Sequence, residues 1–281
     1  MSTVQDLFRR GRNLLHGVPA PWVEAKVLLL EATGMGEVEF LASPGQKVPP
    51  EKEARFFRLV RRRLSGFPLA WITRKKEFWS LPFQVLPGVF IPRPESELLV
   101  EKVLELSARQ KATIVDIGTG CGNIALALAK ERPRARIIAT DVSVRALKTA
   151  RMNALRQGRP NVTFILSNLF SGFSGLGLEG RSDFIVSNPP YVSAADWEAL
   201  PPEVKNHEPR QALVGGKTGL EFIQRLIEGS CAYLRRGAFL LFEVGQGQAV
   251  DALRLFDKRW AEVGPSADLR GIPRAIKARK A

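Results

Sequence analysis

Cysteine and histidine are both scarce in this 281-residue sequence, with two of each. Cys121 and Cys231 are too few for a disulfide framework, and adding His16 and His207 still leaves no zinc cluster, so no metal is expected. Cys121 reads as a small filler rather than a nucleophile, since no histidine lies near it in sequence. His16 falls in a helical stretch and His207 in a polar loop with Glu208 and Pro209, so neither is a strong catalytic candidate. Long apolar runs are also missing: no eighteen-residue stretch could cross a membrane, and Met1-Ser2-Thr3-Val4-Gln5-Asp6 is not a signal peptide. Cytoplasm is the expected compartment, and the glycosylation-like Asn161-Val162-Thr163 therefore carries no weight. No internal repeat is present.

Hydrophobic residues make up 45% of the chain, enough for a large core in one large domain or two smaller ones. Lys and Arg total 42 against 28 Asp and Glu, a formal net charge of +14. Arg55, Arg58, Arg61, Arg62 and Arg63 lie within nine residues, and Arg270 to Lys280 adds five cations without an acid. Such a field suits RNA, a ribosome or an acidic protein face, and a merely soluble basic surface is at least as good a reading.

From Gln5 to about Thr73 the apolar spacing is helical: Leu7, Leu14 and Leu15, then Trp22, Ala25, Leu28 and Leu29 after Pro19-Ala20-Pro21. A third helix should begin at Pro49 or Pro50, with Glu51 and Glu53 in its first turn. Phe56, Phe57, Val60 and Leu64 would line one side and the arginines the other. This reads as a small bundle without a catalytic constellation, a partner-binding module or, as a close second, a purely structural one. Between Lys76 and Ile91, short β-rich segments broken by proline and glycine predict a hairpin. Pro94, Glu95 and Glu97 then suit a helix start, which leaves Arg93 to be explained by the neighbouring pocket.

Alternation of strand and helix begins at Lys111, the signature of a parallel sheet with helices on both faces. Strands are expected at 113–117, 136–140, 162–166, 184–187 and 238–243, and helices at 122–131, 144–156, 219–234 and 248–258. The glycine-rich 171–180 segment reads as a flexible surface loop.

Three stretches carry chemistry. Asp116-Ile117-Gly118-Thr119-Gly120-Cys121-Gly122-Asn123 follows the first strand, and its glycines let the backbone turn and approach a ligand closely. Asn123 stands where a dinucleotide fingerprint has its third glycine. Asp116 disfavours an anion, and a ligand with a sulfonium, an ammonium and ribose hydroxyls matches this polarity better than NAD. Asp141, about twenty residues on at the end of the second strand, is placed for ribose hydroxyls and also for capping the next helix. Asn188-Pro189-Pro190-Tyr191 ends the strand 184–187: an amide, a free proline carbonyl and an aromatic face, held stiff by two prolines. That pocket suits a planar amide or amine, although the tetrapeptide alone is equally compatible with a Pro-Pro loop and a packing tyrosine.

In this order the three stretches resemble a Rossmann-like, class I SAM-dependent methyltransferase. With Ile91-Pro92-Arg93-Pro94-Glu95-Ser96-Glu97, the chain resembles the HemK/PrmC-type protein-(glutamine-N5) methyltransferases, which modify class I peptide-chain release factors. The resemblance spans nearly the whole chain, including Glu208-Pro209 and Gly215-Gly216 followed by Gly219-Leu220. It implies an α/β fold with a mixed, mostly parallel sheet, preceded by a helical bundle and a β-hairpin linker: 1–73 helical, 74–92 hairpin, 93–281 methyltransferase. It implies S-adenosylmethionine as cofactor, with Asp116, Ile117, Gly118, Thr119, Gly120 and Gly122 cradling it and Asp141 on the ribose. Asn168 and Leu169 would flank the adenine. Asn188 and the Pro189 carbonyl would accept the substrate amide hydrogens, with Pro190 and Tyr191 beside them; Arg93 is a further candidate for this pocket, and Phe90 could line the glutamine stem, with packing in the hairpin its favoured role. Asn168 stands where the family usually has Asp, and Ser96 where it usually has Thr, a minor change. A monomer that methylates the glutamine of the release factors' Gly-Gly-Gln motif is expected, with nucleic acid at most an incidental partner. The alternative is an adenine-N6 type nucleic-acid methyltransferase, which shares the tetrapeptide; a non-catalytic scaffold is disfavoured by the intact glycine loop.

Overall fold

The structure is a computed structural model that describes residues 1–107 and 109–281. Two compact units are present, one of residues 1–74 with 202–207, the other of 75–201 with 208–281.

The first unit holds helices α1 (Val4–Leu14), α2 (Pro21–Thr33), α3 (Glu37–Ala42), α4 (Pro50–Leu64) and α5 (Leu69–Thr73). Thr3 and Asp6 form a reciprocal capping box that starts α1. Prolines at the first turn open α2 and α4, and Gly34 closes α2 in the left-handed conformation. Leu7, Leu15, Leu28, Leu29, Phe56 and Val60 fill the core. Leu14, Trp22 and Leu64, which the periodicity places on inward stripes, are instead about half exposed. Arg63, placed by the same pattern on an outer face, is buried because Glu24 and Glu203 both bond its guanidinium.

The second unit opens with an antiparallel hairpin, β1 (Lys75–Phe78) and β2 (Leu81–Gln84), then α6 (Glu97–Leu106). It continues through β3 (Thr113–Ile117), α7 (Asn123–Glu131), β4 (Arg136–Asp141), α8 (Val144–Gln157), β5 (Val162–Leu166) and β6 (Ser182–Ser187). After β7 (Val192–Ser193) and α9 (Asp196–Ala199) the chain forms α10 (Pro202–Lys205), which belongs to the first unit. It then makes β8 (Val214–Gly216), α11 (Glu221–Tyr233), β9 (Leu234–Glu243), α12 (Ala249–Leu253), β10 (Trp260–Ala267) and β11 (Pro273–Lys280).

The main sheet has seven strands in the order β10-β11-β9-β6-β3-β4-β5. β9 through β5 run parallel, and β11 and β10 add an antiparallel edge. From β3 the chain winds outward to β4 and β5, then returns to place β6 on the other side of β3. That reversal opens a crevice at the carboxyl ends of β3 and β6, where open α/β sheets hold ligands.

Several sequence expectations are corrected. The 171–180 segment is anchored, not loose: Phe173 and Leu178 are fully buried in the sheet unit's core. The helix expected to reach residue 258 stops at Leu253, and the Asp257 carboxylate accepts the Arg259 N–H in the turn that leads into β10. The β10–β11 hairpin was hidden because Gly264, Pro265, Gly271 and Pro273 interrupt any alternation. Three of its cations find partners within the chain: Arg279 pairs with Glu262 at the surface, Arg274 faces Asp268, and Lys280 donates to the Cys231 and Leu234 carbonyls. No helix of the described residues is long and apolar enough to cross a membrane, and they contain no group of three or more His, Cys, Asp or Glu placed to hold a metal ion.

Candidate active site

Ile117 and Ser187 are register partners on β3 and β6, so the glycine loop and the Asn188 turn leave the sheet side by side. Ser187 donates to the Ile117 carbonyl at 2.7 Å, which ties the two strand ends together. Both turns line one cleft, through Gly118, Thr119, Gly120, Asn188 and Pro190. Asp141 and Ser143, Phe90, and Pro209, Gln211 and Ala212 complete much of its wall.

Gly118, Gly120 and Gly122 all have positive φ, a conformation L side chains rarely adopt. A Cβ on Gly120 would meet no atom within 4 Å, so that backbone is open to close approach by a ligand. Asp141 holds the loop from the next strand: its carboxylate accepts the Gly120 N–H at 2.9 Å and the Ser143 N–H at 2.8 Å. Ser143 in turn caps α8 by accepting from the Ala146 N–H at 3.2 Å. Beneath the loop Asp116 is fully buried. One carboxylate oxygen accepts from Thr119 Oγ1 at 2.7 Å, and the other has no hydrogen-bond partner among the described residues. Burial pushes Asp116 up to about 7; the Thr119 bond and the nearby Ala125 N–H oppose the rise, and Asp141 adds to it. Burial likewise raises Asp141.

The tetrapeptide is braced on several sides. Asn188 Nδ2 donates to Ser96 Oγ at 2.8 Å, and Ser96 Oγ donates to Glu243 Oε2 at 2.5 Å. The Tyr191 hydroxyl donates to Glu243 Oε1 at 3.1 Å. Gln248 Nε2 donates to the Tyr191 carbonyl at 2.8 Å, while its Oε1 accepts the Gly245 N–H at 2.9 Å. Gly215 and Gly219 pack so closely that a Cβ would lie 2.3 Å from the Pro190 carbonyl oxygen and 2.2 Å from that of Tyr191.

The remaining sequence candidates lie around this centre. Phe90 reaches the cleft with the Arg93 guanidinium 5.0 Å from its ring centroid. Arg93 itself is held by the buried Glu208, which also accepts the Ile91 N–H at 3.2 Å. Ile117 and Pro189 are buried below the cleft lining, and Gly122 backs onto Ala150 of α8. Asn168 is exposed after β5, and Leu169 is buried with a positive φ of 52°.

Sequence reasoning missed Glu243 and passed over Ser96 as a minor change. Ser96 lies within the Ile91–Glu97 motif, and Glu243 ends an apolar strand, as Asp141 ends β4. A carboxylate at the carboxyl end of a buried parallel strand was the available signal.

A family model described as the methyltransferase small domain matches residues 81–200, and one described as the PrmC N-terminal domain matches residues 6–73. The release factor glutamine methyltransferase of Moorella thermoacetica is 42% identical over 241 residues, covering 84% of this chain and 83% of that protein. That of Nitratidesulfovibrio vulgaris is 38% identical over 284 residues, covering 99% of this chain and 96% of its own. Among solved structures, a methyltransferase from Pyrococcus furiosus superposes with a TM-score of 0.54 at 22% identity, over 72% of this chain and 89% of that one, a likeness of fold. With identity and coverage of this order, the chain belongs to the release factor glutamine methyltransferases.

Proposed function

We propose that this enzyme transfers a methyl group from S-adenosylmethionine to the side-chain amide nitrogen of the glutamine in the Gly-Gly-Gln motif of class I release factors. The observation that carries the reading is the orientation of Asn188: its Nδ2 is engaged by Ser96, so Oδ1 is the end left to accept from a ligand in the cleft.

The cleft suits the cofactor in polarity and in the close backbone approach its glycine loop allows. A buried Asp116 with an orphaned oxygen and a loop backbone open at Gly120 suit a cationic, hydroxyl-bearing ligand. Gly118, Thr119 and Gly120 would hold its methionine end above Asp116, Ile117 and Gly122, Asp141 its ribose, and Asn168 and Leu169 would flank its adenine. S-adenosylmethionine, when bound, supplies an electrophilic sulfonium methyl group.

The substrate amide is a weak nucleophile because its nitrogen lone pair is delocalised into the carbonyl. Asn188 Oδ1 and the Pro189 carbonyl grip its two hydrogens, orient the nitrogen and favour a pyramidal geometry. As the nitrogen forms its bond to the methyl carbon, the methyl–sulfur bond would break with its electron pair returning to sulfur as a neutral thioether; the nitrogen gathers positive charge, so these fixed acceptors stabilise the transition state more than the ground state. The amide cation formed is itself a strong acid, so no histidine is needed to remove its proton. Tyr191 packs beside the amide, Pro190 and Phe90 border it, and Arg93 steadies Phe90. The helical unit carries the half-exposed Leu14, Trp22 and Leu64 and the arginines of α4, residue types that would suit it to docking a protein partner.

Asn188→Ala tests the reading. Its affinity for S-adenosylmethionine, measured by calorimetry, is expected to stay within about twofold, while turnover falls roughly 100- to 1,000-fold, the scale of a lost transition-state hydrogen-bond partner. Unchanged turnover would contradict the role given to Asn188.

A further inference from the structure

The two ends of an asparagine amide are nearly the same size, so an Asn that must accept in a cleft needs something to stop it from presenting its N–H₂ instead. We propose that Glu243, acting through Ser96, fixes the amide of Asn188 with its oxygen toward the substrate. Glu243 is a positioning residue here, and the inference rests on the role given to Asn188 above.

Donors and acceptors alone set this orientation. In its ionised form, which the Ser96 and Tyr191 hydrogen bonds favour, Glu243 only accepts, so the Ser96 hydroxyl bonded to its Oε2 points its hydrogen there. The Ser96 oxygen then faces Asn188 with a lone pair, and only the Nδ2 end can meet it. A flipped amide would set two acceptor oxygens against each other. The second carboxylate oxygen takes the Tyr191 hydroxyl, so one side chain holds the first and last residues of Asn188–Tyr191. Ser96 stands at the start of α6 and Glu243 at the end of β9, 147 residues apart, and both are almost fully buried. Both hydrogen bonds to Glu243 come from neutral hydroxyls. Burial pushes this carboxyl up to about 7; the Ser96 and Tyr191 hydrogen bonds work against that rise, Glu95 adds to it, and Arg274 opposes it. For stability alone, burying an acid this way is costly.

The test uses the full-length enzyme with purified release factor at saturating S-adenosylmethionine, in single-turnover mode with excess enzyme. Ser96→Ala, Ser96→Thr and Glu243→Gln are made alone and in an Asn188→Ala background. Ser96→Ala and Glu243→Gln are expected to slow transfer roughly 10- to 100-fold, the scale at which loss of an orienting hydrogen-bond partner is felt, with little change in cofactor affinity. Ser96→Thr, which keeps the hydroxyl, should restore the rate. In the Asn188→Ala background neither change should slow transfer further, because the group it positions is gone. Equal slowing in both backgrounds, or wild-type rates in the single variants, would overturn the proposal. Should Glu243→Gln fold poorly, the Ser96→Ala and Ser96→Thr pair decides the matter. A fully active Asn188→Ala enzyme would instead overturn the parent reading, a result distinct from active Ser96 and Glu243 variants beside an inactive Asn188→Ala.

Discussion

In the helical unit the buried Arg63 meets Glu24 and Glu203, whereas in the sheet unit Asp116 and Glu243 are buried among neutral partners. Burial by itself would lower Arg63, yet its pairing with Glu24 and Glu203 outweighs this and raises it, so that charge is locked in place. Burial dominates at Asp116 and Glu243 and pushes both up to about 7. A buried charge with a full set of opposite partners belongs to the architecture. A buried acid held only by neutral groups, near the end of a parallel strand beside a cleft, marks a functional site: Asp116 keeps one oxygen unpartnered, and Glu243 spends both of its oxygens on Ser96 and Tyr191.

Breaking the paired cluster should have the largest effect. Arg63→Ala leaves Glu24 buried without its cation and is expected to cost ~3–5 kcal/mol of stability, read by urea unfolding. The fraction that remains folded should bind S-adenosylmethionine normally. A stability loss below about 1 kcal/mol would remove the distinction drawn between the two regions.

Asp116→Asn should act in the opposite sense. The folded-state pKa of Asp116 lies above its usual 3.8, so the stability linked to its protonation is full below that value and is lost as pH rises through about 7. Wild-type stability should therefore decline between pH 4 and pH 7, by a few kcal/mol at most for this group. The Asn variant should flatten that slope, unfold at higher temperature than wild type at pH 8, and bind cofactor more weakly. A variant with the wild-type slope would show that Asp116 is not the poised group.

The smallest effect is expected at Ser143→Ala, which removes the α8 cap but leaves the Asp141 carboxylate on Gly120. It should cost ~1 kcal/mol of stability with cofactor affinity nearly intact. A large loss of affinity would mean that the cap and the cofactor site are more tightly linked than these hydrogen bonds imply.

The parallel core of the sheet was legible because its strands carry short apolar runs such as Ile137-Ile138-Ala139 and Phe184-Ile185-Val186, and α8 opens on a capping Ser143; strand Thr113–Ile117 was read at its observed bounds. The terminal hairpin was not, since β11 is built from alanines and cations around a single large apolar residue, Ile276. Phe173 and Leu178 show the same limit, as three large apolar residues scattered among four glycines give no sustained period to read. At the site, Asn188, Asp141 and the glycine loop declared themselves as contiguous motifs. Ser96, Glu208 and Glu243 act through partners far away in sequence, and no spacing rule joins Ser96 to a glutamate 147 residues on.

The most direct test offers the purified enzyme and methyl-labelled S-adenosylmethionine three competing acceptors together: class I release factor, tRNA and DNA. Label should appear on the release factor alone, at the side-chain nitrogen of the glutamine in its Gly-Gly-Gln motif, and should fail to appear when that glutamine is replaced by alanine. Label confined to nucleic acid would contradict the account: the amide-gripping pocket around Asn188 would then serve a base amino group instead.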